Sequence, residues 1–492
     1  MKALINFLKT KPVFLFALPV FFVLHGFIEN FFLISVDKAA VLTLEYLGVA
    51  VLLLAVNYLF FRNILKSGLV SFFILLLYLF FGSLHDFLKN SFHESLITRY
   101  SFLLPVFLVA FIFLYIILKR KKIIPARLII YLNLLLLLLI LIDIFLLWDK
   151  IRTSSEQPSY WQGRQHIIPC DTCQHPNVYL IIADEYARSD VLKEKFQFDN
   201  SAFEKELRNR NFNILENSSS NYNFTFLSLE SMLNLNYLNF RDTILTQDLI
   251  LKTLKSFRHT AVNEFFDSLG YTFHNLSIFD VNGQFSPVND PFIPSNIYLI
   301  TSQTMSERMD KEIKFNLVKW KIIKADSSED YSAWKNNEII MQKAMNDESG
   351  NSKQPKFVYI HLMMPHYPYY TDKNGKPYSH PGRQSPYDKP LYSEYLQFSN
   401  HKILELIDRI REQSSRYPLI LLAGDHGFRY WTEPIERKYY FLNFCAVSIP
   451  GGNYSGFHPG MSNVNLFRTI LNTQFGQQLP MLKDSVIFLK EK

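Results

Sequence analysis

Cysteine is nearly absent from this chain: Cys170, Cys173 and Cys445 are the only three in 492 residues. Cys170-x-x-Cys173 therefore has no second ligand pair with which to build a zinc knuckle, and no thioredoxin-like βαβ pattern surrounds it. A structural pair remains, which outside the cytoplasm can close as a local disulfide. The chain also lacks a glycine-rich phosphate loop and an internal repeat, which excludes a nucleotide-cradling motif and a solenoid. Charge is thin, 19% of residues, and much of the net +7 sits in short N-terminal loops. No nucleic-acid partner is expected.

What the chain has in excess is Leu, Phe, Ile and Val, and it has them up to about residue 148. Five apolar stretches, near 12–35, 39–61, 66–84, 101–118 and 125–148, are each about long enough to cross a bilayer. A cleaved signal peptide would be one short stretch, so these read as spans. Lys2, Lys9 and Lys11 precede the first, Arg62 and Lys66 follow the second, and Lys119, Arg120, Lys121, Lys122 and Arg127 follow the fourth. The alternate loops carry only Lys38 on one side, and Lys89 and Arg99 on the other. The positive-inside rule then predicts a cytoplasmic N-terminus and delivers everything after about residue 149 to the outer side, with Trp148, Tyr160 and Trp161 at headgroup level. The expected organisation is a five-span region over 1–148, a juxtamembrane connector over 149–175 and an extracytoplasmic domain over 176–492.

In the outer part, strand-like runs at 177–183, 356–362, 418–423 and roughly 441–448 alternate with helical stretches such as 197–210, 259–269 and 392–412. This alternation predicts a layered α/β domain with a largely parallel sheet. The polar, weakly patterned stretch 280–350 reads as a place for insertions or a substrate-facing cap.

Two of these strands end in metal-ligand side chains. Pro418-Leu-Ile-Leu-Leu-Ala-Gly424 runs into Asp425-His426-Gly427, and Asn177-Val-Tyr-Leu-Ile-Ile-Ala183 runs into Asp184-Glu185. Open α/β sheets keep their active sites at such carboxyl ends. Either end alone could merely cap a turn; both together predict one oxygen- and nitrogen-liganded metal centre. Glu185, Asp425 and His426 are the expected ligands, with Asp184 the weaker neighbour because successive strand residues alternate faces.

Three further segments bear on this centre. In Asn221-Tyr-Asn-Phe-Thr225-Phe-Leu-Ser-Leu-Glu-Ser-Met, Thr225 opens a helix, where backbone N–H groups suit an anionic phosphate or sulfate. A metal ion would make its hydroxyl a nucleophile, ahead of Ser220, Ser228 and Ser231. On pattern alone an ordinary helix N-cap is the commoner reading of such a threonine. In His361-Leu-Met-Met-Pro-His366-Tyr-Pro368, His366 lies in a loop between prolines and is the better candidate for donating to an anionic substrate. His361, still inside the strand, is either a second contact or a satisfied core residue. His458, in Gly456-Phe-His458-Pro-Gly460, is a third candidate or an exposed loop histidine.

Together these motifs resemble the alkaline phosphatase superfamily, and more closely its membrane-anchored sulfatase-like group, the phosphoethanolamine transferases and lipoteichoic acid synthases. That group's Gly-Glu-Thr-Ala-Arg-x-Asp is similar to Asp184-Glu185-Tyr186-Ala187-Arg188-Ser189-Asp190 here. Its Thr-x-x-Ser-x-x-x-Met is matched by Thr225, Ser228 and Met232, its His-x-x-x-x-His-x-Pro by His361, His366 and Pro368, and its late Asp-His-Gly by Asp425, His426 and Gly427. The resemblance implies an alkaline-phosphatase-like domain in which Glu185, Thr225, Asp425 and His426 surround a divalent metal, Zn²⁺ or in some relatives Mn²⁺. It also implies a multi-pass enzyme of a bacterial-type cytoplasmic membrane. Through a covalent threonine, such an enzyme moves a phospholipid headgroup of phosphoethanolamine or phosphoglycerol type to a cell-envelope glycan or lipid. The chain departs from the group after Asp-His-Gly, where Phe428-Arg429-Tyr430-Trp431 replaces a segment containing glutamate and serine. The Cys/Ser-x-Pro-x-Arg signature of formylglycine sulfatases is missing, which counts against true sulfatase chemistry.

Three other readings stay open at this level. Water as acceptor makes the same machinery a phosphodiesterase or sulfatase-like hydrolase. A catalytically inactive relative serves as an envelope-assembly module. A transporter would need inward-facing charges in its spans, and only Glu45 and Asp143 qualify, with His25 and Glu29 near a span's outer end.

Overall fold

A computed structural model describes residues 2–31, 33–92, 95–154, 173–238, 244–257, 259–288, 292, 297–310, 317, 331–346, 354–415 and 417–491. Cys170, Tyr160, Trp161 and most of the expected connector lie outside these residues. Cys173 is disulfide-bonded, and Cys445 is a buried free thiol. The chain divides into two compact units, residues 1–157 with 294–325, and residues 158–293 with 326–492.

The first unit is helical. Val36–Phe61, Tyr100–Arg120 and Ala126–Arg152 are each long and apolar enough to cross a membrane. They turn large apolar side chains outward, Leu59, Val109, Phe113 and Phe145 among them, a surface suited to lipid rather than water. The third expected span is two helices, Ile64–Leu79 and Phe81–Phe92, bent by 58°. Together they make at most a fourth crossing. The first expected span is the 17-residue helix Val13–Glu29. The sequence thus foresees five apolar runs where the described residues hold three to four spanning elements by length. Composition registers an apolar run without registering the bend that divides it.

Residues 297–308 pack on the ends of these helices. Arg308 forms a two-pronged ion pair with Asp86, at 2.6 and 3.0 Å, and Gly82 N–H donates to Gln303 O at 2.7 Å. Tyr78 and Ser306 share a hydroxyl hydrogen bond of 2.9 Å. This part of the stretch 280–350 is therefore built against the apolar helices.

The second unit is an α/β domain around one six-stranded sheet. Its strands are β1 (Val178–Ala183), β2 (Asn213–Ile214), β3 (Thr272–Leu276), β4 (Lys356–Leu362), β5 (Leu419–Gly424) and β6 (Cys445–Ser448), in the order β2-β6-β5-β1-β4-β3. The central pairings β3-β4, β4-β1 and β1-β5 are parallel, whereas β6 runs antiparallel to both β5 and β2. The expected largely parallel sheet is thus a mixed one. β1, β4 and β5 are buried along their whole length, which explains their unbroken apolar sequences. β2 and β3 escape the sequence reading because they sit at the sheet's edges, one two residues long and the other reading Thr-Phe-His-Asn-Leu. β1 and β5 are adjacent and in register from Val178 with Leu419 to Ala183 with Gly424. Their carboxyl ends, which carry Asp184-Glu185 and Asp425-His426, therefore emerge side by side.

Candidate metal centre

β1 stops abruptly. Asp184 N–H makes the last ladder-like bond, to Leu362 O at 3.0 Å, and Glu185 then takes a left-handed backbone with φ +61°. That conformation costs a non-glycine residue roughly 1–2 kcal/mol, and the surrounding bonds hold it. Glu185 N–H donates to Asp425 Oδ1 at 2.9 Å, while Tyr392 OH donates to Glu185 O at 2.8 Å and accepts from Ala187 N–H at 3.1 Å. The left-handed turn ends the strand. Asp184, expected as the lesser neighbour, joins Asp425 and His426: one ligand atom from each lies within 4.8 Å of the others. Glu185 is not one of the three. Its Oε1 accepts from Arg429 N–H at 2.7 Å, and its Oε2 lies 3.9 Å from His366 Nε2.

The Asp425 turn depends on two glycines. A Cβ at Gly427 would stand 2.4 Å from Tyr439 O, and one at Gly424 would stand 2.8 Å from Tyr186 O. Ser228 Oγ donates to Asp425 O at 2.6 Å, and Asn463 Nδ2 donates to the same carbonyl at 3.3 Å. His426 Nδ1 lies 2.8 Å from Gly427 O. A carbonyl only accepts, so Nδ1 donates there, and Nε2 is the nitrogen turned to the cluster. That nitrogen faces Asp425 Oδ2 at 3.2 Å and Thr225 Oγ1 at 3.2 Å.

Asp184, Glu185, Asp425 and His426 are all buried. Asp184 Oδ1, Glu185 Oε2 and Asp425 Oδ2 are enclosed without a hydrogen-bond partner. Leaving anionic oxygens so costs more than 1–3 kcal/mol apiece, roughly the penalty of a neutral buried group. Buried carboxylates beside an imidazole nitrogen fit a divalent cation. Burial works against ionising Asp184, yet the His366 and His361 imidazoles outweigh it and hold that carboxyl below its ordinary value. Burial pushes the Glu185 carboxyl up, only partly opposed by His366 and Arg429.

Thr225 is the first residue of the helix Thr225–Leu233. It is not the N-cap: that position is Phe224, with extended backbone and no side-chain cap. The Thr225 hydroxyl is thus free of a capping role and turned toward His426. The rival serines are engaged elsewhere, Ser220 with Tyr222 O at 2.9 Å, Ser228 with Asp425 O, and Ser231 with Ser228 O at 2.9 Å.

The three candidate histidines separate. His361 is fully buried, with Nε2 3.1 Å from Asp184 Oδ2 and Nδ1 2.9 Å from the Tyr359 hydroxyl. It orients a carboxylate and has no surface to offer a substrate. His366 is partly buried beside Glu185, with Nδ1 bonded to Tyr367 O and Nε2 3.4 Å from the Arg429 guanidinium. His458 is half exposed and pairs with Asp484 at 3.4 Å; no group of the cluster is among its partners. Arg188 bonds Asp190 twice at 2.7 Å and Ser218 O at 2.9 Å, so the motif that follows Glu185 ties its loop to the one before Thr225.

Sequence reasoning passed over Arg429, Tyr392, Asn443 and Asn463. Arg429 stood out only as a break from the resembled motif. The asparagines carried a weak signal, polar amides inside apolar surroundings such as Phe441-Leu-Asn443-Phe. Asn443 Nδ2 donates to Asn463 Oδ1 at 3.1 Å, joining the two behind the Asp425 turn.

A family model described as Sulfatase matches residues 176–468. No curated protein matches the chain by sequence. Solved structures similar to it include the C-terminal periplasmic domain of EcEptC from Escherichia coli in complex with Zn, at 12% identity and a TM-score of 0.39, covering 62% of this chain and 84% of that one. The C-terminal periplasmic domain of phosphoethanolamine transferase EptC from Campylobacter jejuni is 14% identical, with a TM-score of 0.34 over 61% of this chain and 89% of that one. The phosphonate monoester hydrolase SpPMH from Silicibacter pomeroyi is 16% identical, with a TM-score of 0.38 over 63% of this chain and 75% of that one. With the family model spanning more than half of its length, the chain belongs to the sulfatase family, within the alkaline phosphatase superfamily that its motifs resemble.

Proposed function

We propose that this protein is a membrane-anchored, metal-dependent phosphotransferase that carries a phospholipid-derived phospho-headgroup to a cell-envelope glycan or lipid through Thr225. The observation that carries the reading is Thr225 Oγ1, 3.2 Å from His426 Nε2, beside three enclosed carboxylate oxygens without donors. Asp184, Asp425 and His426 would hold the cation, with Glu185 and Thr225 completing its surroundings. The carboxylate and imidazole donors suit Zn²⁺ first and Mn²⁺ second. When bound, such an ion lowers the pKa of a neighbouring hydroxyl and offsets charge on a phosphoryl group.

Once a bound cation lowers its pKa, the Thr225 hydroxyl would pass its proton to bulk water. Thr225 Oγ then attacks the phosphorus of the donor phosphodiester as the alkoxide (the form in which it is later released), and the bond from phosphorus to the diacylglycerol oxygen breaks. His366, backed by Glu185 at 3.9 Å, gives that oxygen its proton. The headgroup phosphate then sits on Thr225, at a helix N-terminus whose free N–H groups favour an anion. A hydroxyl of the acceptor attacks the phosphorus next, loses its proton to His366 and releases Thr225. His361 fixes Asp184 throughout, and His458 is given no part.

Membrane attachment would give such an enzyme access to a lipid donor. The proposed topology has five crossings and a cytoplasmic N-terminus in a bacterial-type inner membrane, with the sulfatase-family domain outside. In support, the ends of Val13–Glu29 and Ile64–Leu79 that this topology puts outside both meet residues 297–308, since a Cβ at Gly26 would touch Ile300 at 3.0 Å and Tyr78 bonds Ser306.

The test uses the full-length protein in detergent with a headgroup-labelled phospholipid. Chelation should stop diacylglycerol release, and Zn²⁺ or Mn²⁺ should restore it. Release that survives complete removal of metal would end the reading. Release with water as the sole acceptor would make the enzyme a phosphodiesterase.

A further inference from the structure

Thr225 occupies the first position of its helix, where intrahelical hydrogen bonds hold the chain least and helix ends fray. Its hydroxyl faces His426 Nε2 at 3.2 Å and does not help to fix the backbone. A nucleophile so placed needs outside support, because a displacement of about 1 Å at a reacting group can cost roughly a hundredfold in rate.

Residues 485–490 supply that support, running beside the loop that leads into the helix. Tyr222 and Ile487 form a parallel bridge, and Ile487 N–H donates to Asn221 O at 2.8 Å. The two asparagines that flank Tyr222 both reach the same segment. Asn221 Nδ2 donates to Ser485 O at 2.9 Å. Asn223 Oδ1 accepts from Leu489 N–H at 3.0 Å, and its Nδ2 donates to Leu489 O at 2.9 Å, a buried two-pronged clamp. The segment is held from its other side as well. Tyr237 OH donates to Lys483 O at 2.8 Å and accepts from Ser485 N–H at 2.9 Å, while Leu245 N–H donates to Lys490 O at 2.8 Å. The Leu489 side chain is fully buried and anchors the segment in the core. One turn past Thr225, Ser228 Oγ donates to Asp425 O at 2.6 Å. Thr225 is therefore slung between two tethers, one to residues 485–490 and one to the turn that carries Asp425 and His426.

We propose that Asn223, clamped to Leu489, is the positioning residue for Thr225, and that residues 485–490 are a strap that keeps the Thr225 hydroxyl at His426. The inference rests on the phosphotransferase reading above and names the element that aligns its nucleophile. Asn223 acts through the backbone of Phe224 and Thr225, since both ends of its amide are committed to Leu489.

The same domain contains a matched clamp for comparison. Asn472 accepts from Leu479 N–H at 2.7 Å and donates to Leu479 O at 2.8 Å. Among the described residues, neither partner of that clamp bonds a group of the candidate centre.

The experiment measures diacylglycerol release from a headgroup-labelled phospholipid by full-length, metal-loaded protein in detergent. Asn223→Ala should lower kcat by about 10–100-fold, with KM changed by less than about threefold and bound metal retained. Asn472→Ala loses the same pair of hydrogen bonds and should keep kcat within about twofold of the unaltered protein. Tyr237→Phe removes only a hydroxyl that holds the strap's other side, and should lower kcat by about 2–10-fold. That milder variant decides the matter if Asn223→Ala does not fold. Equal slowing by the two alanine variants, a loss confined to KM or traced to lost metal, or an undiminished kcat in Asn223→Ala (in Tyr237→Phe if the former does not fold) would overturn this inference and leave the phosphotransferase reading standing. No release by the unaltered protein would take down both.

Discussion

Asp184 and Glu185 are neighbours in sequence with different surroundings, as alternation at a strand's end allows. Asp184 reaches Asp425 and His426, while Glu185, left-handed at φ +61° where the strand stops, turns to Arg429 and His366. The residue types of the site were legible in the sequence because strand ends rich in Asp and His are rare by chance. Which carboxylate joins the compact cluster was not, since alternation separates the pair without saying which face the cluster occupies. His361 was ambiguous for a related reason: burial inside β4 reads as core until Asp184 is found 3.1 Å away. As a positioning residue, His361→Gln should weaken metal affinity by about 10–100-fold, measured by competition with a chelating dye. His458→Ala should leave it unchanged. Thr225→Ala should abolish transfer while retaining bound metal. Because Thr225 is not the N-cap, its melting temperature should fall by less than the ~1 kcal/mol loss of a capping residue would cause, as a thermal scan would show.

Among the elements, the buried strands β1, β4 and β5 were read correctly, since a strand covered on both faces is apolar throughout. The edge strands β2 and β3 were not, because half-exposed edges accept Asn, Thr and His. The helix Thr225–Leu233 was anticipated from its opening residue, yet it carries a feature the sequence hid. Glu230 is buried within it, near Asn234 Nδ2 at 3.3 Å, and burial pushes its carboxyl up to about 8. A carboxyl raised in the folded state favours folding when protonated. Its stabilising effect is complete below the unfolded value near 4.5 and is lost as pH rises toward 8. Glu230→Gln should therefore flatten the fall in stability between about pH 5 and pH 8, a slope worth on the order of a few kcal/mol, in denaturant titrations across that range. The turn after β5 has a different sensitivity. Gly427→Ala would drive a Cβ against Tyr439 O at 2.4 Å, a backbone atom that cannot swing aside. The expected outcome is a loss of roughly 1–3 kcal/mol together with metal binding.

For the whole molecule, the division into an apolar helical part and an α/β domain was the most legible feature, because bilayer-length apolar runs have few other uses. The number of crossings was less so. Helix length and the 58° bend between Ile64–Leu79 and Phe81–Phe92 are geometric, and composition does not record them. Nor did composition show that residues 297–308 belong with the membrane helices, an association made by Gln303, Ser306 and Arg308 from a segment with no apolar period. A reporter active only outside the cytoplasm should be active when fused after Lys150 and silent after Lys122; the reverse pattern would place the metal centre in the cytoplasm and remove the envelope reading.

The account's central claim is that Thr225 carries the transferred group beside a metal held by Asp184, Asp425 and His426. Peptide mass spectrometry tests it most directly, on protein incubated with phospholipid donor and no acceptor, then quenched in acid. The account predicts an added phospho-headgroup mass on the peptide containing Thr225, lost in Thr225→Ala and in Asp425→Asn. An adduct on Ser228, Ser231 or His366, or rapid turnover with no adduct on any residue, would contradict it.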